Sequence, residues 1–385
     1  MDDRRLPRDS LERYSGVNPA DISKTPETPV VPVTESPERK PARMPWYNPR
    51  GWPLWMQVLC PCLLLATIGG IIAGAVVGVK DNRYPEYTPL TYHLQDAYAG
   101  PSFFEQFTYF TEEDPTDGFV VYVSRETATN FNLTYATDTS AILRVDSFTP
   151  NTLGGRNSVR VESKKAYDTG LFIFDIIHTP YGCGTWPALW MTDGANWPSN
   201  GEIDILETTN EGSNGNAVTL HTTPGCKMNV KRKETGEAVY TTCDNSTNGN
   251  SGCGVLGGSE TYGAEFNENG GGIYALEIRN EGIRTWFFPR KSIPQDIIES
   301  TGPDPSTWGT ALADFPSTNC DIPSHFRNQN IVVNIDLCGE LAAMPMYYHE
   351  MYHCPSTCTD FVAQNPEAFT EAFWEFGSFK VYQAV

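Results

Sequence analysis

From Leu54 to Val79 the chain runs for 26 residues without a charged side chain. A helix of that length, at ~1.5 Å per residue, crosses a ~30 Å hydrocarbon core with some tilt. Pro61 lies inside the run, and membrane helices tolerate such a kink. A cleaved signal peptide fits poorly, because the run is too long and begins about fifty residues into the chain. The flanks set a direction. Arg39, Lys40, Arg43 and Arg50 precede the run, and only Lys80 and Arg83 follow it, with Asp81 between them. The positive-inside rule then leaves the N-terminus in the cytoplasm and the rest of the chain outside, as a single-pass type II protein of the cell surface. Charge divides at the same point, +1 up to Val79 and −21 beyond it.

This organisation predicts four segments: a cytoplasmic tail over 1–53, a transmembrane helix over 54–79 in contact with the lipid bilayer, a stem over 80–91 and a folded domain over 92–385. The tail is polar and punctuated by prolines from Pro19 to Pro53. It has too little apolar surface to offset its ordering entropy and reads as disordered. A net charge of −20 disfavours nucleic acid as a partner, whereas a neutral polymer is not repelled.

The cysteines agree with an outward-facing domain. Cys60 and Cys62 sit in the apolar run, where palmitoylation is open to them. The other eight are Cys183, Cys226, Cys243, Cys253, Cys320, Cys338, Cys354 and Cys358. An even number outside the cell reads as four disulfides, with about 105 pairings open. Cys354 and Cys358 alone are weak evidence for zinc, and no metal ligand is assigned. The sequons at Asn132 and Asn245 mark candidate glycosylation sites on the same side of the membrane.

From Tyr92 onward, short apolar and aromatic runs recur between Gly, Asn, Asp and Pro. Examples are GLFIFDIIH at 170–178, GIYALEIR at 272–279 and IVVNIDL at 331–337. Many short strands with turn signals between them predict an all-β sandwich. One short helix is expected over 366–376.

The stretch GEIDILE, 201–207, alternates acids with apolar residues. Residues two apart on a strand share a face, so Glu202 and Asp204 point the same way. Glu207 is at an odd offset, and one β-bulge, with Leu206 as the extra residue, returns it to that face. A solvated or calcium-binding strand face is the bland alternative. Paired carboxylates at a cleft suit glycosidic cleavage, with a third acid tuning both. The neighbours favour the second reading. Trp186 and Trp190 alternate on one strand face and Trp197 follows in a turn, and indole faces stack on sugar rings. Thr219, His221 and Thr223 alternate on the next strand, which brings His221 toward the acids.

These stretches, with NWPSNGEIDILE, VTLHTTPGC, GIRTWFFPRKSIP and EAFWEFGSFKVYQ, resemble glycoside hydrolase family 16, in particular the fungal endo-1,3(4)-β-glucanases of laminarinase type. The resemblance covers Tyr92 to the C-terminus. It implies a β-jelly-roll (concanavalin A-like) sandwich with an aromatic-lined β-glucan cleft and a retaining double displacement. By motif position Glu202 resembles the nucleophile, Glu207 the general acid/base and Asp204 the assisting carboxylate. Trp186, Trp190, Trp197 and His221 fall where the family lines its cleft. No cofactor is required. Family members often hold a structural calcium ion, for which no ligands are placed. The alternatives are a transglycosylase or assembly factor for cell-wall glucan, related to β-1,6-glucan, and a non-catalytic glucan-binding domain.

Overall fold

A computed structural model describes Pro49 and residues 52–300 and 302–385. The expected disordered tail lies almost wholly outside the described residues. The uncharged run forms one helix, Leu54–Asp81, with Pro61 inside it. Its span Leu54–Val76 is long and apolar enough to cross a membrane, and none of it is buried against protein.

The remainder is built on two antiparallel sheets of eight strands each. In spatial order the first holds Glu237–Ala238, Cys253–Leu256, Ala217–His221, Glu202–Glu207, Thr185–Thr192, Gln329–Leu337, Arg160–Tyr167 and Phe107–Tyr109. The acidic strand is therefore central, with paired strands on both sides. The second sheet runs Ala313–Pro316, Gly282–Pro289, Gly272–Arg279, Gly170–His178, Phe373–Ala384, Ala141–Arg144 and Thr134–Ala136. Its eighth strand, Tyr92–Ala99, also pairs with Phe373–Ala384.

Between the layers lies one large core. Ile203, Ile205, Leu189, Met191, Val333 and Ile335 of the first sheet join Phe172, Phe174, Tyr274 and Phe379 of the second in a single apolar cluster. The alternation predicts this, because one face of each strand must leave water. GLFIFDIIH and GIYALEIR instead read as nearly continuous apolar runs. The structure explains why. A second cluster, with Leu171, Ile173, Ile273, Ala275, Trp286 and Trp308, covers the outer face of the second sheet. Those strands are buried on both sides and need apolar residues on both.

The short helix expected over 366–376 is displaced. An α-helix occupies Cys358–Gln364 and a 3-10 turn Pro366–Phe369, and Phe373 already begins the last strand. The FWEF segment alternates Trp374 and Phe376 into the core, so sheet pairing outweighed the helical look of the composition.

All eight cysteines beyond the helix are paired, as Cys183–Cys354, Cys226–Cys320, Cys243–Cys253 and Cys338–Cys358. The first and last fasten the 354–358 turn to Cys183, beside the start of strand Thr185–Thr192, and to Cys338, just past the end of strand Gln329–Leu337. Asn132 is exposed and Asn245 half-buried.

Candidate active site

The acidic strand owes its position to the glycine before it. Gly201 has φ of +77°, and a Cβ there would lie 2.4 Å from the His325 carbonyl oxygen. Only glycine accepts both the left-handed backbone and that approach.

The strand then carries the expected bulge. Asp204 pairs with Trp190 and Leu206 with Leu189 in strand Thr185–Thr192, while Ile205 has no opposite residue there. The extra residue is thus Ile205, not Leu206. Both side chains turn into the core with no exposure. The bulge leaves backbone groups that the ladder cannot satisfy, and the buried Asn216 side chain takes them. Its Oδ1 accepts from Glu207 N at 2.8 Å and its Nδ2 donates to Ile205 O at 2.8 Å. Nothing in the sequence singled out Asn216, because its partners are set by the bulge.

On the face turned away from the core, Glu202 sits opposite His221 and Asp204 opposite Thr219 in strand Ala217–His221. His221 Nε2 lies 3.3 Å from Asp204 Oδ2, at an angle short of a full hydrogen bond. Its Nδ1 lies 3.0 Å from Asn250 Oδ1. Asn250 lies in the loop closed by Cys243–Cys253, which is also bridged to the strand end at Thr222–Asp244. An amide oxygen on one ring nitrogen and a carboxylate on the other both call for N–H donors, which favours the imidazolium.

Each acid has an indole or an imidazole beside it. Trp186 Nε1 donates to Glu207 Oε1 at 2.8 Å, and Trp197 donates to Glu202. Trp190 Nε1 instead donates to Asn334 Oδ1 at 2.9 Å, and Arg160 lies 5.0 Å over its ring. Trp186 and Trp190 are half-buried and Trp197 is 42% exposed, so all three keep part of their surface open to solvent. Thr223 lies beyond the strand, with its Oγ1 3.4 Å from His325 Nδ1. Asn334 and Arg160 were invisible to motif reading, as each lies on a strand distant in sequence.

Burial dominates the electrostatics. It pushes the Glu202 carboxyl up; the His221 charge opposes the shift and the Glu207 charge adds to it. Burial also pushes Asp204 well above the carboxylate range, reinforced by Glu202 and Glu207. For His221 burial alone acts downward, but the close contact with Asp204 and the charges of Asp204, Glu202 and Glu207 push it up to about 10. The Asp204–His221 pair therefore keeps a shared proton at neutral pH.

Glu202, Asp204 and His221 are also the one grouping of three His, Cys, Asp or Glu side chains within metal-binding reach among the described residues. Calcium prefers six to eight oxygen ligands. Two carboxylates with an imidazole in contact fit it poorly, so this cluster is not a calcium cage.

Comparison with known proteins agrees with this geometry. The model of the XgeA-like catalytic GH16 domain matches residues 107–382. A probable glycosidase of Schizosaccharomyces pombe is 46% identical over 79% of this chain and 72% of its own length. A probable endo-1,3(4)-beta-glucanase of Aspergillus clavatus is 38% identical over 84% of this chain, which spans about half, 51%, of that protein. Laminarinase 16A from Phanerochaete chrysosporium, solved with beta-glucans in both donor and acceptor sites, superposes with a TM-score of 0.74 at 46% identity. That match covers 76% of this chain and all of the other. An elongating GH family 16 beta-1,3-glucosyltransferase superposes with a TM-score of 0.71 at 40% identity, over 76% of this chain and all of the other. The chain belongs to glycoside hydrolase family 16, within its XgeA-like group.

Proposed function

We propose that this protein is an endo-acting β-1,3(4)-glucanase that cleaves β-1,3- and mixed β-1,3/1,4-glucan by retaining double displacement. One observation carries the reading: a bulge in the central strand sets Glu202, Asp204 and Glu207 together on a face lined by Trp186, Trp190 and Trp197. The relatives named for glucanase and laminarinase activity support the substrate class.

In the proposed cycle Glu207, oriented by Trp186, gives a proton to the leaving oxygen while Glu202 attacks the anomeric carbon. Glu207 then takes a proton from water, which displaces Glu202 from the glycosyl-enzyme. Burial makes Glu202 reluctant to ionise; the charge on His221 and the Trp197 hydrogen bond offset this and keep a carboxylate available for attack. Asp204, with a proton shared toward His221, sits between the two glutamates and damps their mutual repulsion.

The chain's surroundings follow from the sequence. The helix acts as the anchor of a type II membrane protein, with a tail over 1–53, a stem over 80–91 and the catalytic domain over 92–385 on the outer or lumenal side. Four disulfides support an oxidising compartment. Asn132 and Asn245 are the proposed glycan sites.

The test is product analysis with the purified chain on β-1,3-glucan, mixed β-1,3/1,4-glucan and β-1,6-glucan. Short oligosaccharides from the first two, absent with Glu202→Gln, are the expected result. Products longer than the starting chains would favour the second reading, a glucan transglycosylase. In that case a sugar acceptor replaces water at the same intermediate, and the elongating transferase relative supports it. Binding without turnover would reduce the site to a glucan-binding surface.

A further inference from the structure

The loop between strand Thr185–Thr192 and the acidic strand reads DGANWPSNG, 193–201. It carries Trp197, whose indole donates to Glu202. Trp197 is exposed, so little packing holds its ring. Where its N–H arrives is then set by the backbone that carries it.

That backbone is tied by one buried carboxylate. Asp193 is 4% exposed, and its Oδ2 accepts from Asn200 Nδ2 at 2.6 Å, Asn196 Nδ2 at 2.9 Å and Asn328 Nδ2 at 2.9 Å. Asn196 and Asn200 belong to the loop and flank Trp197. Asn328 comes from just before strand Gln329–Leu337, and its own N donates to Asp168 Oδ1 at 2.8 Å. Backbone bonds add to the tie, from Asn196 N to Asp193 O at 2.9 Å and from Asn200 N to Asn196 O at 3.1 Å. Fully buried Gln329 donates from Nε2 to Asn200 O at 2.7 Å. The loop is thus closed at its base and fastened to the strand on the other side of Thr185–Thr192. A buried carboxylate is costly unless donors surround it. Burial pushes the Asp193 carboxyl up, but the amides of Asn328, Asn196 and Asn200 and the Ala195 N–H outweigh it and hold it below the usual carboxylate range. Asp193 therefore stays ionised wherever Glu202, pushed up by burial, titrates. It has no part in the proton transfers proposed above.

We infer that Asp193 is a positioning residue for the nucleophile: by gathering three side-chain amides on one oxygen, it fixes the loop that presents the Trp197 N–H to Glu202. This rests on the reading of Glu202 as the nucleophile. The consequence is electrostatic. Held in place, the donor favours the Glu202 carboxylate; released, it leaves that carboxylate to burial and to the Glu207 charge.

The test is the pH dependence of kcat/KM for the full chain on a soluble β-1,3-gluco-oligosaccharide. Loss of that substrate is followed, so that hydrolysis and transfer count alike. The acid limb reports ionisation of the nucleophile in the free enzyme. Trp197→Phe keeps a ring and removes the N–H, and should move that limb up by about one pH unit, the equivalent of one hydrogen bond to a charged group. Asp193→Ala is expected to move it by a similar amount, about a tenfold loss of kcat/KM below the limb. The double variant should move it no further than Trp197→Phe alone. Asn196→Ala/Asn328→Ala removes two donors on exposed side chains, and should shift the limb in the same direction even where Asp193→Ala does not fold. His221, Glu207 and Arg160, whose charges act on Glu202, and Asp204 beside them stay unaltered in every variant. A native limb in the asparagine pair or in a folded Asp193→Ala, with that of Trp197→Phe displaced, overturns the inference. A native limb in Trp197→Phe does so too, as do shifts that add in the double variant. Normal turnover in Glu202→Gln would instead remove the nucleophile reading on which the inference rests.

Discussion

Two regions of this molecule bury carboxylates, and they do so in opposite ways. On the outer face of the second sheet, Glu277 is 1% exposed and surrounded by donors. Arg284 approaches its Oε2 with two nitrogens, Arg279 lies 3.6 Å from Oε1, and Tyr92 donates to Oε1 at 2.8 Å. On the acidic strand, Asp204 is 3% exposed, beside Glu202 and Glu207 and with one imidazole, His221, for a counter-charge. The first arrangement compensates each buried charge with fixed cations and serves packing. The second leaves like charges crowded with too few partners, a cost that persists where chemistry requires it.

The sharpest way to break this comparison is to remove one acid from each region. Glu202→Gln and Glu207→Gln are each expected to lower kcat by about 10³-fold or more with the fold intact by circular dichroism. Azide should rescue Glu207→Ala and yield a β-azide product. Near-normal turnover in either glutamine variant would remove the catalytic assignment. Glu277→Ala should do the reverse. Stranding Arg279 and Arg284 is expected to cost about 3–5 kcal/mol of stability in denaturant unfolding. The folded fraction should keep its kcat, and a protein of unchanged stability would deny the contrast.

Asp204→Asn sharpens the comparison, because the two effects should part company. Burial raises the Asp204 carboxyl, so its ionisation costs stability as pH rises above the unfolded-state value. An uncharged isostere should therefore raise Tm near neutral pH, by about 2–4 °C for each kcal/mol relieved, while kcat falls. A lower Tm would mean that Asp204 is a structural residue like Glu277.

His221 adds a pH dependence of the other origin. Its folded-state value is raised to about 10, so its contribution to stability is complete below about 6.5 and is lost as pH rises through about 10. Thermal melts from pH 7 to pH 10 should fall more steeply for the native chain than for His221→Asn. The smallest effect is expected for Asn250→Ala, which removes a hydrogen bond to a charged ring worth about 1.5–3 kcal/mol. The alkaline limb of the Tm–pH curve should move to lower pH, because the imidazolium loses a partner. An unmoved limb would make Asn250 irrelevant to the His221 charge.

The acid strand was legible because its period is local. Glu202 and Asp204 share a face by the pleat, and Glu207 needed one bulge, which the structure contains. The residue that forms it was misjudged, Leu206 for Ile205, because both are apolar and both point inward. Alternation and motif brought Trp186, Trp190, Trp197 and His221 near the acids, but not their partners. Trp186 reaches Glu207, whereas Trp190 reaches Asn334, and only strand order distinguishes the two.

Sequence alone determined what local chemistry fixes: a helix with an uncharged 26-residue run, strands bounded by turn residues, an even set of cysteines beyond that helix and an acidic face at strand spacing. Tertiary structure decided which distant groups complete them. Asn216 satisfies the bulge, Asn250 reaches His221 through the Cys243–Cys253 loop, and Tyr87 in the segment 80–91 is held on the sandwich by Asp314 and Arg284. The physical reason is range. Period and propensity act over a few residues along the chain, whereas burial, ion pairing and hydrogen-bond satisfaction act through space, between residues whose meeting only the closed sheets bring about.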